Sequence, residues 1–433
     1  GFEMGTAPIS NPPDGEAQGG SGRARRRLPG TADTHITLRG DAPARGAEHD
    51  RRVLRNSLLA ATAVIALGAP AAGAATGDRL LGVVSEPYAA SGGRQIDPLP
   101  HDGLNAWVST VRRFQSASGA RLTIVMRYRD WGASLANLDD RRLMRLGYDP
   151  MLTIEPTSSM PIAAIAAGKG DAKLTLRVRA LQRALVAASA HRDEPITAYI
   201  RFAHEMNGTW YAWGAPGQHP SRAALTKAQA TYRKAFRRVA AIVHREAPNV
   251  QMVWAANRMS IPAIPANDMT RWYPGDDAVD WIGVDGYNRD RTRWHTPKEL
   301  FEPFRAIWSR SMTRMGGDPL SRHRGGSRPL MIAETSTIDA GAGGSATRTD
   351  AAWIRSLAAY LHRHDEFRAV IWFDRAKRCS DYSTSISCRV VDWNPTDGTR
   401  AKTLPWDWNS SKRGAAAFKA LAQDASLFAG PTG

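Results

Sequence analysis

R-F-A-H-E-M-N-G-T-W-Y-A-W-G, Arg201 to Gly214, is the stretch on which the fold turns. Its first residues close an apolar run from Ile196 to Phe202, which has the length and β-branched content of a buried strand. One acid and two tryptophans, Glu205, Trp210 and Trp213, follow just beyond that strand's carboxyl end. Working outward, seven more runs read as strands: Leu80 to Val84, Leu122 to Tyr128, Met151 to Ile154, Val250 to Ala255, Trp281 to Val284, Leu330 to Ala333 and Ala369 to Phe373. Amphipathic stretches lie between them. Leu104, Trp107, Val108, Val111 and Phe114 recur at helical spacing, as do Tyr232, Ala235, Phe236, Val239 and Val243, and Lys412 to Leu427 reads as a closing helix. Strands alternating with helices give an α/β protein with a parallel sheet, and eight of them favour a closed (β/α)8 barrel over an open sheet.

In such a barrel the carboxyl ends of the strands face the active site. Counting strands puts Glu205 at the end of the fourth and Glu334 at the end of the seventh, with Asp285 and Tyr287 ending the sixth and Trp372 ending the eighth. Each residue also has a plainer reading. Glu205 could be a structural acid paired with Arg201, Tyr287 a packed rim residue, and Trp210 and Trp213 loop anchors. His204 has no second histidine or acid at ligand spacing, so no metal motif is present.

The formal net charge is +17, but the basic residues are scattered, and Arg233, Lys234, Arg237 and Arg238 read as one solvated helix face. No basic patch interleaved with aromatics exists, which argues against a nucleic-acid partner. Loose adsorption to an anionic cell wall is the expected consequence of the charge. The 14 tryptophans suit either a core or a set of flat platforms for sugar rings.

Arg51, Arg52 and Arg55, the apolar run Leu58 to Leu67 and the small residues Ala72, Gly73 and Ala74 form the three parts of a signal peptide, 51–74. Its apolar run is too short for a stable membrane span. Cleavage after Ala74 is expected, leaving residues 75–433 as one secreted domain, expected to work as a monomer. Residues 1–50, rich in Gly, Pro, Arg and Asp, show no packable periodicity and are expected to be a disordered leader. One reading is that translation begins near Val53. In an exported chain, Cys379 and Cys388 are expected to close a loop by a disulfide.

The segment from Arg201 to Gly214 resembles the fourth-strand signature of glycoside hydrolase family 26, R-P-x-H-E-M-N-G-x-W-x-W-W-G. The matching residues are Arg201, His204, Glu205, Met206, Asn207, Gly208, Trp210, Trp213 and Gly214. The resemblance continues through Pro150 to Pro156, V-D-W-I-G-V-D-G-Y-N at Val279 to Asn288, M-I-A-E-T around Glu334, Ile371 to Phe373, and Asp392-Trp393. It implies a retaining β-glycanase with Glu205 as general acid/base and Glu334 as nucleophile, their carboxyl groups roughly 5 to 5.5 Å apart. It further implies that His204, Trp210 and Trp213 line the substrate site, that Asp285 and Tyr287 orient the nucleophile and bind the sugar, and that Trp372 forms the floor beneath it. Neither metal nor cofactor is implied. The partner is a polysaccharide, with β-1,4-mannan foremost. Ala203 and Ala212 stand where the family often has aromatics, so mixed-linkage β-glucan and β-1,3-xylan stay open as substrates. A glycan-binding barrel without turnover is the alternative of a different class.

Overall fold

The computed structural model describes residues 79–85, 106–190, 192–288, 294–314, 328–338, 348–374, 377–378, 403–404 and 411–428. All of them belong to one unit, Gly68–Gly433. The leader, the signal segment, Cys379 and Cys388 lie outside the described residues. Among the described residues no helix is long and apolar enough to cross a membrane.

Eight parallel strands form a closed barrel in chain order. They are β1 (Leu80–Ser85), β2 (Ile124–Asp130), β3 (Asp149–Glu155), β4 (Ala198–Phe202), β5 (Val250–Asn257), β6 (Trp281–Asp285), β7 (Leu330–Thr335) and β8 (Phe367–Asp374). The last closes on the first, from Leu80 opposite Ala369 to Ser85 opposite Asp374. The (β/α)8 expectation therefore holds. Most strands run one or two residues further at their carboxyl ends than hydrophobicity suggests, because the last residues are mostly polar.

Helices α1 (Ala106–Ser118), α2 (Leu138–Arg145), α3 (Ile162–Ala166), α4 (Asp171–Ser189), α5 (Arg222–Glu246), α6 (Pro297–Arg314), α7 (Asp350–Leu361) and α8 (Lys412–Ala422) accompany the strands. The longest, α5, starts where the Ser221 side chain accepts the Ala224 N–H at 3.1 Å. Its Leu225, Tyr232, Ala235, Phe236, Val239 and Val243 are all buried. At about 1.5–3 kcal/mol for each large apolar side chain, that stripe outweighs the few tenths contributed by any surface pair. On the basic face, Arg238 reaches Asp171 of α4 at 2.6 Å while Lys234 stays exposed. Helix α8 brings Phe418 against both Phe114 of α1 and Trp372 of β8. It thus covers the seam where the barrel closes.

Two apolar layers result. Alternate strand residues such as Leu81, Leu152, Ile200, Ile332 and Trp372 pack outward beneath the helices, while Met126, Met151, Tyr199, Ala255, Met331 and Ile371 fill the barrel interior. Tyr199 and Trp281 meet edge to face at 5.6 Å inside it. Small residues make room above them. A Cβ on Gly82 would lie 2.4 Å from Ile371 Cδ1, so only glycine fits between β8 and β2. The lower barrel is a packed plug, and the polar residues gather at the mouth.

Candidate active site

The inward row at the carboxyl ends of the strands reads Tyr128 on β2, Thr153 on β3, Arg201 on β4, Asn257 on β5 and Asp285 on β6. Each lies two residues beyond an interior position: Met126, Met151, Tyr199, Ala255 and Gly283 respectively. Period-two alternation alone delivers these five side chains to one place. Glu334 breaks the rule. With Met331 and Ala333 inside, strict alternation would send it outward to the helices. Instead β7 carries an extra residue. Val284 pairs with Ile332 but Asp285 with Glu334, and Ile332 pairs with Val370 but Thr335 with Trp372. This bulge turns Glu334 into the mouth.

There Glu334 is 4 % exposed and accepts three donors. Tyr128 Oη and Arg201 Nη2 donate to Oε1, and Tyr287 Oη donates to Oε2. Arg201 is fully buried, its Nε donating to Thr153 Oγ1 at 2.9 Å and its Nη1 to Asp285 Oδ1 and Oδ2 at 3.0 and 2.9 Å. Burial works against that charge. The carboxylates of Asp285 and Glu334 outweigh it and keep the guanidinium firmly protonated.

Glu205 arrives by a different route, three residues past the end of β4. The chain reverses through two left-handed residues, Ala203 at φ 48° and Glu205 at φ 52°. Each such conformation costs on the order of 1–3 kcal/mol away from glycine. The Ala203 N–H to Ile154 O bond (3.0 Å) and the Glu205 N–H to Ala255 O bond (2.9 Å) hold the turn against β3 and β5. The loop beyond is tight. A Cβ on Gly214 would sit 2.3 Å from the Gly208 carbonyl oxygen, which explains a glycine there. Glu205 is 8 % exposed. Its Oε1 accepts Asn257 Nδ2 at 2.7 Å and its Oε2 accepts Trp210 Nε1 at 2.6 Å.

The two carboxyl groups face opposite electrostatic conditions. Burial raises the proton affinity of both. For Glu334 the charge of Arg201, then His204 and the two phenols, overcome burial and bring the pKa down to about 2. For Glu205 burial and the neighbouring Glu334 charge prevail over the Asn257 and Trp210 N–H groups, leaving the pKa above its ordinary value. The charge of Glu334 acting on Glu205 is consistent with the two acids sharing one mouth, although 129 residues separate them in the chain.

Several expectations need correction. Trp372 does not face the cavity. It is 1 % exposed, points outward, and packs against Phe418 at 4.8 Å and Trp353 at 6.5 Å, so no sugar can lie on it. Its neighbour Phe373 is the interior residue, edge-on to Tyr287 at 5.7 Å. Trp213 is buried as well, stacked on Tyr211 at 4.2 Å with Nε1 donating to His204 O at 2.8 Å, which makes it a loop anchor. Asp285 is fully buried beside Arg201 and offers a sugar no surface. The structural-acid reading of Glu205 fails on geometry, because Arg201 pairs with Asp285 and Glu334 instead. His204 lies beneath the mouth, its Nε2 3.0 Å from Tyr211 Oη. Trp210, 38 % exposed, is the one exposed tryptophan among the described residues. The tryptophan excess is otherwise mostly core.

Tyr128, Thr153, Asn257 and Tyr211 were not among the sequence candidates. The first three stand at inward strand positions: Tyr128 and Thr153 lie within the expected strands, and Asn257 is reached by extending the alternation of its strand by two residues. His204, Asp285 and Glu334 bring ligand-type atoms within 4.8 Å of one another. A cation there would have to displace Arg201, which already occupies both carboxyl groups.

A (β/α)8 barrel whose carboxyl-terminal mouth holds two buried, electrostatically coupled acids defines the class of this protein by fold and site. Residues 156–318 match the family model described as glycosyl hydrolase family 26. Endoglucanase H of Acetivibrio thermocellus is 25 % identical over 285 residues, covering 63 % of this chain and 28 % of the relative. Beta-1,3-xylanase TXYA of a Vibrio species is 24 % identical over 47 % of this chain and 40 % of its own length. A mannan endo-1,4-beta-mannosidase of Thermothelomyces thermophilus is 29 % identical over 29 % of this chain and 22 % of its own length. The chain thus spans well under two thirds of each of these relatives. Over these residues and against these relatives, the chain is similar to members of glycosyl hydrolase family 26.

Proposed function

We propose that this chain is a retaining endo-β-glycanase acting by double displacement, with β-1,4-mannan as its main substrate. The observation that carries the reading is the contrast at the barrel mouth: a guanidinium and two phenols hold the Glu334 carboxyl down to about 2, while burial and the Glu334 charge raise the pKa of Glu205, favouring opposite forms of the two acids. A retaining hydrolase needs that division of states. In the first step a Glu334 carboxylate oxygen attacks the anomeric carbon. The glycosidic C–O bond breaks, and Glu205 gives its proton to the departing oxygen. In the second step Glu205, now ionised, takes a proton from water as the water oxygen attacks the anomeric carbon and releases Glu334. Arg201, Tyr128 and Tyr287 aim the nucleophile, and Trp210 offers its open face to a sugar on the leaving-group side.

The mannan assignment leans on the mannosidase relative, whereas the endoglucanase and xylanase relatives make glucan and xylan necessary comparisons. Release of reducing ends from mannan, mixed-linkage β-glucan and β-1,3-xylan tests it. Fastest cleavage of mannan, strongly reduced in Glu205→Ala and Glu334→Ala, is expected. Binding of a glycan without cleavage by the unaltered protein would replace the enzyme with a lectin-like barrel. The same reading has the chain exported through residues 51–74, with Cys379 and Cys388 joined and the protein working as a monomer. Sequencing the exported product should begin at Ala75, and a product retaining Arg23 to Arg27 would refute that processing.

A further inference from the structure

Asn257, the last residue of β5, is fixed more thoroughly than its place on the rim requires. Its backbone N–H donates to Asn207 Oδ1 and its carbonyl accepts Asn207 Nδ2, both at 2.9 Å. Asn207 is itself fully buried, its carbonyl accepting the Ile261 N–H at 2.9 Å and Asn267 Nδ2 at 3.0 Å. Trp272 Nε1 in turn donates to Asn267 Oδ1 at 2.9 Å. A run of buried amides therefore leads from the core to the mouth.

The side chain of Asn257 is oriented as firmly as its backbone. Its Oδ1 accepts the Met259 N–H at 3.1 Å. A backbone N–H can only donate, so the amide cannot be flipped, and its NH2 must face Glu205 Oε1 at 2.7 Å. An NH2 group cannot take a proton. Its bond to a carboxylate is about twice as strong as its bond to a neutral acid.

We propose that Asn257 is the positioning residue of the acid/base, a fixed N–H donor that favours the ionised form of Glu205 and that Asn207 holds in place. This rests on reading Glu205 as the acid/base. The other charged or titratable groups facing Glu205 are Glu334 on β7, Arg201 on β4, Asp285 on β6 and Tyr211 on the β4 loop. Burial and Glu334 push Glu205 toward its protonated form, and Asn257 leads the hydrogen bonds that pull it back. The donor thereby keeps the carboxyl able to lose its proton in the first step and to serve as base in the second. Without it Glu205 would hold its proton too tightly to be recycled.

The test is the pH profile of kcat/KM on the best polysaccharide for the unaltered enzyme, Asn257→Ala and Asn257→Asp, with Glu205→Ala in parallel and melting temperatures for all. Removing the donor should move the basic limb up by about one pH unit. Asn257→Asp, nearly isosteric and able to keep the Met259 bond, should move it further, since it sets a second carboxyl group against Oε1. Basic limbs unchanged in both folded variants, with Glu205→Ala inactive, would overturn the role of Asn257 alone. Full activity in Glu205→Ala would overturn it together with the acid/base assignment.

Discussion

The end of β4 and the end of β7 each deliver one glutamate to the same mouth, yet by different backbone devices and into different company. At β7 a one-residue bulge turns Glu334 inward onto a guanidinium and two phenols. At β4 two left-handed residues carry Glu205 past the strand to an amide and an indole, both neutral donors. Burial is nearly equal at the two places. The pKa values diverge because a buried formal charge at contact outweighs two dipoles. One buried cation contacts Asp285 and Glu334 but not Glu205, whose pKa burial and the Glu334 charge leave above its ordinary value.

The largest expected effect comes from removing the carboxylate at β7. Glu334→Ala should lower kcat on the order of 10^4-fold or more. Added azide or formate should restore turnover as the α-configured product, because the small anion attacks where the side chain did; rescue giving a β product would contradict the role. Next comes Glu205→Ala, expected to cost about 10^2- to 10^4-fold on polysaccharide. An aryl glycoside with an acidic phenol needs no proton to leave, so its first step should be nearly spared and a burst of phenol should appear. Equal losses on both substrates would erase the distinction between the two acids.

Arg201→Met attacks the contrast itself. Losing one partner of a buried ion pair should destabilise the fold by about 3–5 kcal/mol. It should also raise Glu334 from about 2 toward its ordinary 4.5, carrying the acidic limb of kcat/KM upward. In the unaltered protein the depressed carboxyl contributes stability that is complete above about 4.5 and lost as the pH falls toward about 2. An acid-unfolding profile that does not shift upward in Arg201→Met would deny the guanidinium this part. The smallest effect concerns backbone strain. Ala203→Gly relieves the φ of 48° and should raise the melting temperature slightly, by at most about 1 kcal/mol of stability. A lower melting temperature would mean the turn at β4 is not strained.

Alternating apolar runs were enough to read the barrel, its strand order and the helix faces from sequence. They were enough, too, to bring Asp285 to the mouth; alternation within the expected strands already turned Tyr128 and Arg201 inward, and two more residues of it would have added Asn257. Glu334 is different. Alternation places it outside, and only the shifted register of β7 against both neighbours brings it in, a feature that no local pattern encodes. Trp372 shows the reverse error. Alternation between the interior residues Ile371 and Phe373 turns it toward the helices, whereas the family resemblance implies a place in the mouth. The turn at Ala203 to Glu205 was illegible because neither residue is a glycine or asparagine, the usual signs of a left-handed backbone.

The central claim is that Glu205 and Glu334 act on one linkage from the two sides of a covalent intermediate. Proton NMR of the first product formed from a β-linked oligosaccharide, recorded before mutarotation, tests it most directly. The β anomer should appear first, because two displacements restore the starting configuration. An initial α anomer would mean a single displacement by water and would contradict Glu334 as nucleophile.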